Sequence, residues 1–366
     1  MNPSSNTSGI WYFISTLIFV LIILFGQKIQ VWIWLEEIAR GLRRLEKYLA
    51  EAKKRLIKQF NKFGSNPQEL ERRIDELLDF FYIEPVTIEP FGIIRRLEHI
   101  IDSYRDKLQN FVKYYAPKAS KHILKNLEGM LEAAISLNTL YKTVRHYAIL
   151  GRKTKSVYLI MQLEMLLPLI LRNAGAYYRA IKAFEKGLPI GDSVGPLTIS
   201  KLLLEAKKVR IEDDTVIAEV PYKGRILLVV KAEGPGSEVG KPGRIIERIV
   251  EEYNGKIARI IMIDAAMKLE GERSGEVVEG VGAAIGDEGP EKIRIEEVAA
   301  RYNIPVDAIA IKVALEEAID IMNKTLVKAS EIALNKVLRI VDERTKEGDI
   351  VIIAGIGNSI GIAQPG

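Results

Sequence analysis

The chain has 366 residues, a formal net charge of +5 and no cysteine, so it is long enough for more than one domain and lacks both a disulfide framework and a cysteine-based metal site. Hydrophobic residues make up 48% of the sequence, which is enough for packed cores and argues against a disordered chain. The three histidines, His99, His122 and His146, all precede Gly151, so a metal in the second half needs oxygen ligands unless the first half supplies a histidine. Abundant Lys, Glu, Arg and Ile without cysteine are typical of a thermophilic protein.

Residues 10–26 form an uncharged, mostly apolar run that is long enough for one membrane span. No positive segment or small-residue cleavage site marks a removable signal peptide. Between Lys28 and Lys62, ten Lys and Arg residues stand against four Glu, so the N-terminus is expected outside and the later domains in the cytoplasm. The sequence therefore predicts a single-pass signal anchor in the cell membrane, residues 1–27, whose partner is the lipid bilayer. Anionic lipid explains the basic segment, and no nucleic-acid partner is expected.

A basic amphipathic stalk helix is predicted over residues 28–64. Its apolar residues repeat at three- and four-residue spacing over about three heptads, which is typical of a coiled-coil seam. Two interpretations stay open: a parallel homodimer through residues 35–56, or docking of this stripe on later helices of the same chain. The residues of the stripe are Leu35, Ile38, Leu42, Leu45, Leu49, Ala52 and Leu56.

An all-α helical domain is predicted over residues 65–187. The last helix carries an apolar run over 157–171, in which Gln162, Glu164 and Pro168 favour a buried core helix over a second membrane segment. A buried Glu164 would be paired with a basic residue or functional, and pairing is the favoured interpretation. The predicted elements are a short helix to about residue 82, an extended proline-containing segment over 83–90, and helices over 92–115, 118–150 and 154–186.

Beyond Gly187 the hydrophobic period changes, and alternating strands and helices predict an α/β domain over residues 188–366. The complete prediction is an N-terminal transmembrane helix, an all-α helical domain and then a C-terminal α/β domain with a mostly parallel sheet covered on both faces. The predicted strands are two around an acidic turn over 209–220, then 225–231, 257–263, 306–312 and 349–354, and the helices are 197–206, 243–253, 295–303 and a long one ending near 346.

Two aspartates occupy positions at which open α/β sheets form ligand sites. Asp192 lies on a Gly/Pro turn that begins a helix, and Asp264 ends an apolar run that predicts a buried parallel strand. Because two close carboxylates bind a cation or share a proton, we expect this pair to act in acid–base catalysis or to hold a divalent cation as cofactor. The alternative for each is a helix cap or a strand-end turn. A Ser-His-Asp triad is excluded within this half, which contains no histidine.

A glycine-rich loop over residues 232–243 is predicted to link a strand to a helix, where backbone N–H groups could bind an anion such as phosphate. It is not a Walker A loop, because its glycine spacing is one residue too long and Pro242 replaces the hydroxyl that would contact magnesium. The alternative is a structural turn. Two further glycine-rich stretches, 275–286 and 354–361, lie at apparent ends of elements. The candidate cofactor-binding residues are Gly234, Gly236, Gly240 and Lys241.

Two resemblances follow from these motifs. Over its whole length the chain resembles an archaeal single-span membrane-protein family known only as a domain of unknown function. Over about residues 188–312, Gly191-Asp-Ser-Val-Gly-Pro196 followed by Ile261-Met-Ile-Asp-Ala265 resembles the motifs of hydrogenase maturation endopeptidases and the spore germination protease. The resemblance implies that Asp192 and Asp264 are the catalytic or metal-binding carboxylates. The maturation enzymes also use a histidine ligand, which this half lacks, so the germination-protease pattern fits better.

The order of the motifs departs from those families. There, a strand ending in Gly-Ile-Gly-Asn precedes the Gly-Asp turn, whereas here Gly355-Ile-Gly-Asn358 comes near residue 366. The resemblance therefore implies a circular permutation in which strand 349–354 takes the place of the displaced strand and sets Asn358, the third candidate catalytic residue, beside Asp192.

Three functions stay open at this level. The first is a membrane-anchored hydrolase or peptidase-like enzyme that uses the aspartate pair with or without a divalent cation. The second is a non-catalytic membrane module that binds a nucleotide or another phosphorylated ligand. The third is a membrane scaffold.

Overall fold

The structure, a computed structural model, describes residues 4–64, 67–83, 92–286 and 289–364. The extended segment predicted over residues 83–90 lies almost entirely outside the described residues. The first half of the described chain is helical, as predicted. Its helices are α1 (Ser4–Asn61), α2 (Pro67–Leu78), α3 (Ile93–Tyr115), α4 (Lys121–Thr154) and α5 (Val157–Lys186).

The predicted membrane span and stalk form one helix, because α1 continues through the polar residues near Lys28. Its axis bends by 55° between Trp11–Val20 and Phe25–Asn61, and these two parts are long and apolar enough to cross a membrane only when they are taken together. Within the described chain, α5 is the helix that meets this criterion alone. The bend thus divides the apolar run that the sequence predicts as a transmembrane helix.

The apolar run of α5 is largely exposed, and this corrects the expectation of a buried core helix. Only 22% of its most apolar window is buried, and Tyr158, Met165 and Leu166 are exposed. Among the described residues no base pairs with Glu164, whose carboxyl group instead lies near the carboxyl group of Glu37. The composition of the run could not reveal this, since burial depends on which neighbours the helix contacts.

The described chain forms two compact units, Met1–Ala50 with Leu137–Ala174, and Glu51–Ser136 with Gly175–Gly366. In the first unit, Ile38 and Leu45 are at most 1% exposed, and Gly41 packs against Leu167 of α5 at a distance that leaves no room for a Cβ. This part of the heptad stripe therefore docks on a later helix of the same chain, which is one of the two interpretations that the sequence left open.

The second unit contains an α/β domain that begins with a short 3-10 turn, Gly191–Ser193. Helix α6 begins three residues earlier than predicted, since Gly195 and Pro196 are tolerated in a first helical turn. The predicted long helix near residue 346 is two helices, with Asn323 capping the second. The helices are α6 (Val194–Leu203), α7 (Pro242–Glu252), α8 (Pro290–Arg301), α9 (Leu315–Ile319) and α10 (Lys324–Arg344), and the strands are β1 (Lys208–Glu212), β2 (Thr215–Tyr222), β3 (Arg225–Ala232), β4 (Arg259–Met267), β5 (Val277–Val281), β6 (Val306–Val313) and β7 (Ile350–Gly355).

The seven strands form one mixed sheet in the order β1-β2-β3-β7-β4-β6-β5. Strands β3, β7, β4 and β6 are parallel to one another, whereas β1, β2 and β5 pair antiparallel with their neighbours. The prediction of a mostly parallel sheet is therefore wrong. Tight hairpins join β1 to β2 and β2 to β3. Strand β5 lies at the edge of the sheet and forms from a stretch that was predicted as a glycine-rich loop.

Hydrophobic cores cover both faces of the sheet. Along β4, Ile261 and Ile263 face one core, while Ile260 and Met262 face the other, as the two-residue period of a strand requires. The first core is closed by α6 and α10 and the second by α7 and α8. Because β4 and β7 are central strands, their carboxyl ends lie at the middle of one edge of the domain, where open α/β sheets bind ligands.

Candidate functional site

The two predicted aspartates lie at this edge. Asp264 belongs to β4, is 5% exposed, and its Oδ1 accepts a hydrogen bond of 2.7 Å from the N–H of Ala265. Asp192 lies in the 3-10 turn that precedes α6 and is partly buried. A strand end and a helix-initiating turn therefore present one carboxylate each.

Glycines at close contacts make this arrangement sterically feasible. A Cβ added to Gly195 would lie 2.1 Å from the carbonyl oxygen of Ile356, and one added to Gly357 would lie 2.1 Å from the carbonyl oxygen of Asp192. Gly357 also has a φ of 119°, a conformation that favours glycine. The glycines of both motifs thus allow the start of α6 and the loop after β7 to approach with backbone against backbone.

Asn358 lies beside Asp192. Its backbone N–H donates a 2.7 Å hydrogen bond to Oδ2 of Asp192, whereas its side-chain amide donates to Oγ of Ser237 at 2.9 Å. Asn358 therefore orients the carboxylate of Asp192 through its main chain. Its side chain, which was predicted to be catalytic, instead binds the neighbouring glycine-rich loop.

Both carboxylates line the same two cavities. One cavity, of about 400 Å³, extends toward α3 and the start of α7, and the other, of about 430 Å³, extends toward the end of β6 and α9. The residues common to both are Asp192, Asp264, Ala265, Ile285 and Gly286. The aspartate pair is thus accessible from a space of the size that small-molecule sites have.

The pKa values of both aspartates are raised. Burial raises the pKa of Asp192, against the opposing hydrogen bond from Asn358. Burial and then the negative charge of Asp192 raise the pKa of Asp264 well above its usual value, although the N–H groups of Ala265 and Gly286 oppose the shift. The pKa values of both carboxyl groups therefore lie above those of isolated aspartates.

The predicted divalent cation has two side-chain ligands in this pair. Among the residues that the structure describes, no group of three or more His, Asp or Glu side chains is arranged to hold a metal ion. A cation between Asp192 and Asp264 would need backbone carbonyls or water to complete the six to eight oxygen ligands of calcium or the octahedron of magnesium. The cation stays a prediction.

The predicted anion-binding loop is divided between two locations. Gly240 and Lys241 line the 400 Å³ cavity, whereas Gly234 and Gly236 line a separate cavity of about 140 Å³. The N–H of Gly240 donates to Oε1 of Glu238, and the Lys241 ammonium lies 2.8 Å from both carboxylate oxygens of Asp102.

The start of α7 already holds a carboxylate. Oε2 of Glu291 accepts hydrogen bonds from the N–H groups of Gly243, at 2.7 Å, and Arg244, at 3.1 Å, which is the arrangement that a bound anion would take at a helix N-terminus. Phosphate binding by this loop stays a prediction, and a phosphate there would have to compete with carboxylates of the chain itself.

Helix α3 supplies a wall of the 400 Å³ cavity that the sequence analysis did not include. Its contribution is Glu98, Ile101, Asp102 and Arg105, which recur on one helical face. Glu98 accepts hydrogen bonds from Arg244, at 2.6 Å, and from Arg294, at 2.7 Å. The only signal in the sequence is this spacing of charged residues, which a solvent-exposed helix face would show equally.

Two family models together match nearly the whole chain. The model described as "Protein of unknown function (DUF1512) N-terminal domain" matches residues 12–187, and the model described as "Domain of unknown function (DUF1512) C-terminal" matches residues 190–363. No curated protein matches the chain. The helices α1 to α5 fall largely within the first match, and the aspartate pair falls within the second. The chain therefore belongs to the DUF1512 family of proteins of unknown function.

Proposed function

We propose that the protein is a hydrolase of peptide-like amide bonds in which Asp192 and Asp264 act as an acid–base pair. The observation that carries the proposal is that both carboxylates line one cavity, in which burial raises the pKa values of both. Pairs of titratable groups that raise one another's pKa values in a cleft are typical of catalytic sites. The short resemblance to the germination protease supports the same two residues.

In the proposed mechanism, Asp192 acts as the base and Asp264 acts as the acid. Asp192, held by the N–H of Asn358, accepts a proton from a water molecule as the water oxygen attacks the carbonyl carbon of the amide. Asp264 donates its proton to the carbonyl oxygen. When the tetrahedral intermediate collapses, the carbon–nitrogen bond breaks, a proton from Asp192 passes to the leaving nitrogen, and one hydroxyl group of the intermediate returns a proton to Asp264, so the products are a carboxylic acid and an amine.

The walls of the cavity fit a partly apolar substrate. Ile101, Val239, Ile285 and Ile356 line it beside the polar groups. Apolar walls exclude bulk water and strengthen electrostatic interactions with the reacting groups. This combination supports the acid–base proposal over a phosphate site, because the cation and N–H groups nearest the loop already have carboxylate partners.

A peptide library followed by mass spectrometry tests the proposal. The full chain should cleave a subset of peptides, with Asp192→Asn and Asp264→Asn each reducing kcat by about 100-fold or more. Asp106→Asn, at an exposed position on α3 outside both site cavities, is the matched control and should be fully active. Absence of cleavage, or equal cleavage by the aspartate variants, would exclude this function.

Repeating the assay with a chelator distinguishes acid–base catalysis by a shared proton from catalysis by a bound divalent cation. Cleavage that persists in the chelator supports the shared proton. Cleavage that is lost and then restored by Mg²⁺, Mn²⁺ or Zn²⁺ would instead assign the pair to a cation, which would replace Asp264 as the group that polarises the carbonyl.

We also propose that the protein is anchored in a membrane by α1. The apolar side chains of residues 11–20 are exposed in the chain, Trp11 by 70% and Phe13 by 71%. A contiguous surface of this kind is stable in lipid and costs free energy in water. The proposed orientation, with the aspartate pair in the cytoplasm, depends on the basic residues that follow the apolar run.

A further inference from the structure

We infer that Arg105 recognises a carboxylate of the substrate, so that the site takes peptides with a free C-terminal carboxyl group. The inference rests on the proposed hydrolase function and adds to it the class of substrate. Several charged side chains line the 400 Å³ cavity, and their partners decide which of them can bind a ligand.

Most of these charges are already compensated. The carboxylate of Glu98 lies 2.6 Å from Arg244 and 2.7 Å from Arg294, the carboxylate of Asp102 lies 2.8 Å from Lys241, and the carboxylate of Glu291 accepts two N–H groups of α7. What remains is the aspartate pair and Arg105. The cavity therefore has an acid–base wall and one cationic side chain without a hydrogen-bonded or ion-paired carboxylate among the described residues.

Arg105 has no hydrogen-bonded or ion-paired partner among the residues that the structure describes. Its positive charge acts through space on the carboxyl group of Glu132. Arg105 is partly buried, and a guanidinium has five N–H donors in a planar fork that matches a carboxylate. A partly desolvated guanidinium without a partner favours an anionic ligand, because binding restores the hydrogen bonds that burial removed.

The size of the cavity favours a substrate whose carboxylate lies close to the amide bond that is cleaved. Arg105 and the aspartate pair line the same 400 Å³ space, with apolar side chains such as Ile101 and Ile285 beside them. This volume is close to the lower limit for small-molecule sites, so only a short segment fits between the guanidinium and the aspartates. The C-terminal residues of a peptide supply such a segment: an amide, an apolar side chain and a terminal carboxylate. Cleavage is then expected to release short C-terminal fragments.

The first experiment compares the same peptides with a free C-terminal carboxyl group and with a C-terminal amide. The wild-type chain should cleave the free-acid forms with a higher kcat/KM, by about 10- to 100-fold, which is the range for loss of a hydrogen bond to a charged group. Arg105→Gln should abolish the preference by raising KM for the free acids to that for the amidated peptides. Arg105→Lys, which keeps the charge but loses the fork, should retain part of the preference.

Arg95→Gln is the matched control, since Arg95 is exposed on the same helix and does not line the cavity. Equal rates for the acid and amide forms, or a preference that survives Arg105→Gln in a folded variant, would overturn the inference. Thermal unfolding of each variant establishes that it is folded.

The second experiment measures binding without catalysis. Calorimetric titration with N-acetyl-leucine and with N-acetyl-leucinamide should show tighter binding of the acid to the wild-type chain and equal binding to Arg105→Gln. A chain that binds the acid selectively but cleaves no peptide refutes the hydrolase and retains the carboxylate site. A chain that cleaves peptides without this selectivity retains the hydrolase and refutes the role of Arg105.

Discussion

Ionisation of the Asp264 carboxyl group destabilises the folded chain. Asp264 is 5% exposed, and burial together with Asp192 raises its pKa well above the usual value. A pKa raised in the folded state means that the folded chain binds more protons than the unfolded chain, so the stabilising contribution is present below the unfolded pKa and is lost as pH rises through the folded pKa.

Asp264→Asn should remove this dependence. As pH rises above about 3.9, the ordinary pKa of aspartate, the free energy of unfolding of the wild-type chain should fall more steeply than that of the variant. Denaturant titrations at several pH values measure the difference. Parallel pH curves for the two proteins would contradict the raised pKa of Asp264.

For Lys231, the free energy of unfolding is expected to rise with pH in the alkaline range, which is opposite to the fall expected for Asp264. Its ammonium is buried and donates to the carbonyl oxygens of Ala232 and Ile362 and to the side-chain oxygen of Gln364, and burial lowers its pKa to about 8, against the opposing charge of Glu233. The unfolded chain, in which the pKa of lysine is about 10.4, therefore binds more protons, and stability should rise between pH 8 and about pH 10.

Lys231→Met should have a stability that is flat over this range, as measured by thermal unfolding. The exposed Lys207 provides the control, because Lys207→Met should keep the rise. A rise of equal size in all three proteins would assign it to other groups.

At this scale, the sequence predicted only residues that stand in local motifs. Asp192 and Asp264 each lie beside a turn or strand end that is recognisable from neighbouring residues, and both do line a cavity. Lys231 and Arg105 lie in stretches with no motif. Two of the three acceptors of the Lys231 ammonium, Ile362 and Gln364, lie more than 100 positions away, and such pairings cannot be inferred from spacing in one sequence.

Among the elements, α6 depends on the close contact at Gly195. Gly195→Ala would place a Cβ 2.1 Å from the carbonyl oxygen of Ile356, so helix and strand must separate. We expect a loss of at least about 2 kcal/mol in the free energy of unfolding, with loss of activity because Asp192 moves with the helix.

Gly280→Ala is the matched control for this change. In β5, the nearest side chain to an added Cβ is that of Ala308, at 3.9 Å. Its stability should be unchanged or slightly higher, since alanine restricts the unfolded chain. Equal stability of the two variants in urea would show that α6 can shift without cost.

Glu98 joins α3 to α7 and α8 through Arg244 and Arg294. Burial alone would raise its pKa, but the hydrogen bonds from the two arginines outweigh burial and lower it. Glu98→Gln should cost about 2–4 kcal/mol, because two partly buried arginines lose their shared anion. Hydrogen exchange should show α3 opening more readily.

The control for Glu98 is an exposed pair in the same region, Glu251 with Arg301. Glu251→Gln should change stability by less than about 0.5 kcal/mol, because solvent screens exposed pairs. If both variants are equally stable, α3 is held by apolar contacts and not by Glu98.

The sequence predicted most elements of the sheet domain but not how they pair. Continuous apolar runs identified β3, β4, β6 and β7, because buried strands have that composition. Gly280 within Val277–Val281 and the glycines on either side of this range concealed β5. Its antiparallel pairing with β6 arises only once the chain has folded back. Parallel order was inferred from alternation of strands and helices, which says nothing about an edge strand or about the β1–β3 hairpins.

For the whole molecule, the full chain should sediment with membranes and require detergent for extraction. Replacing Trp11, Phe13, Leu17 and Phe19 with glutamine should release it, since these side chains are exposed on α1 and each polar replacement costs free energy in lipid. Met165→Gln with Leu166→Gln tests α5 in the same way. Release by the second variant and not the first would assign the membrane contact to α5.

The central position of β7 has a consequence for biosynthesis. β7 lies between β3 and β4 and pairs with both, yet a ribosome makes it after every other strand described. Until it emerges, the edges of β3 and β4 expose unpaired backbone groups, which are templates for aggregation. The loop that follows β7 also delivers the N–H group that holds Asp192. The nascent chain therefore cannot assemble its aspartate pair during most of translation, and ribosomes that stop before residue 350 would release an inactive, aggregation-prone product.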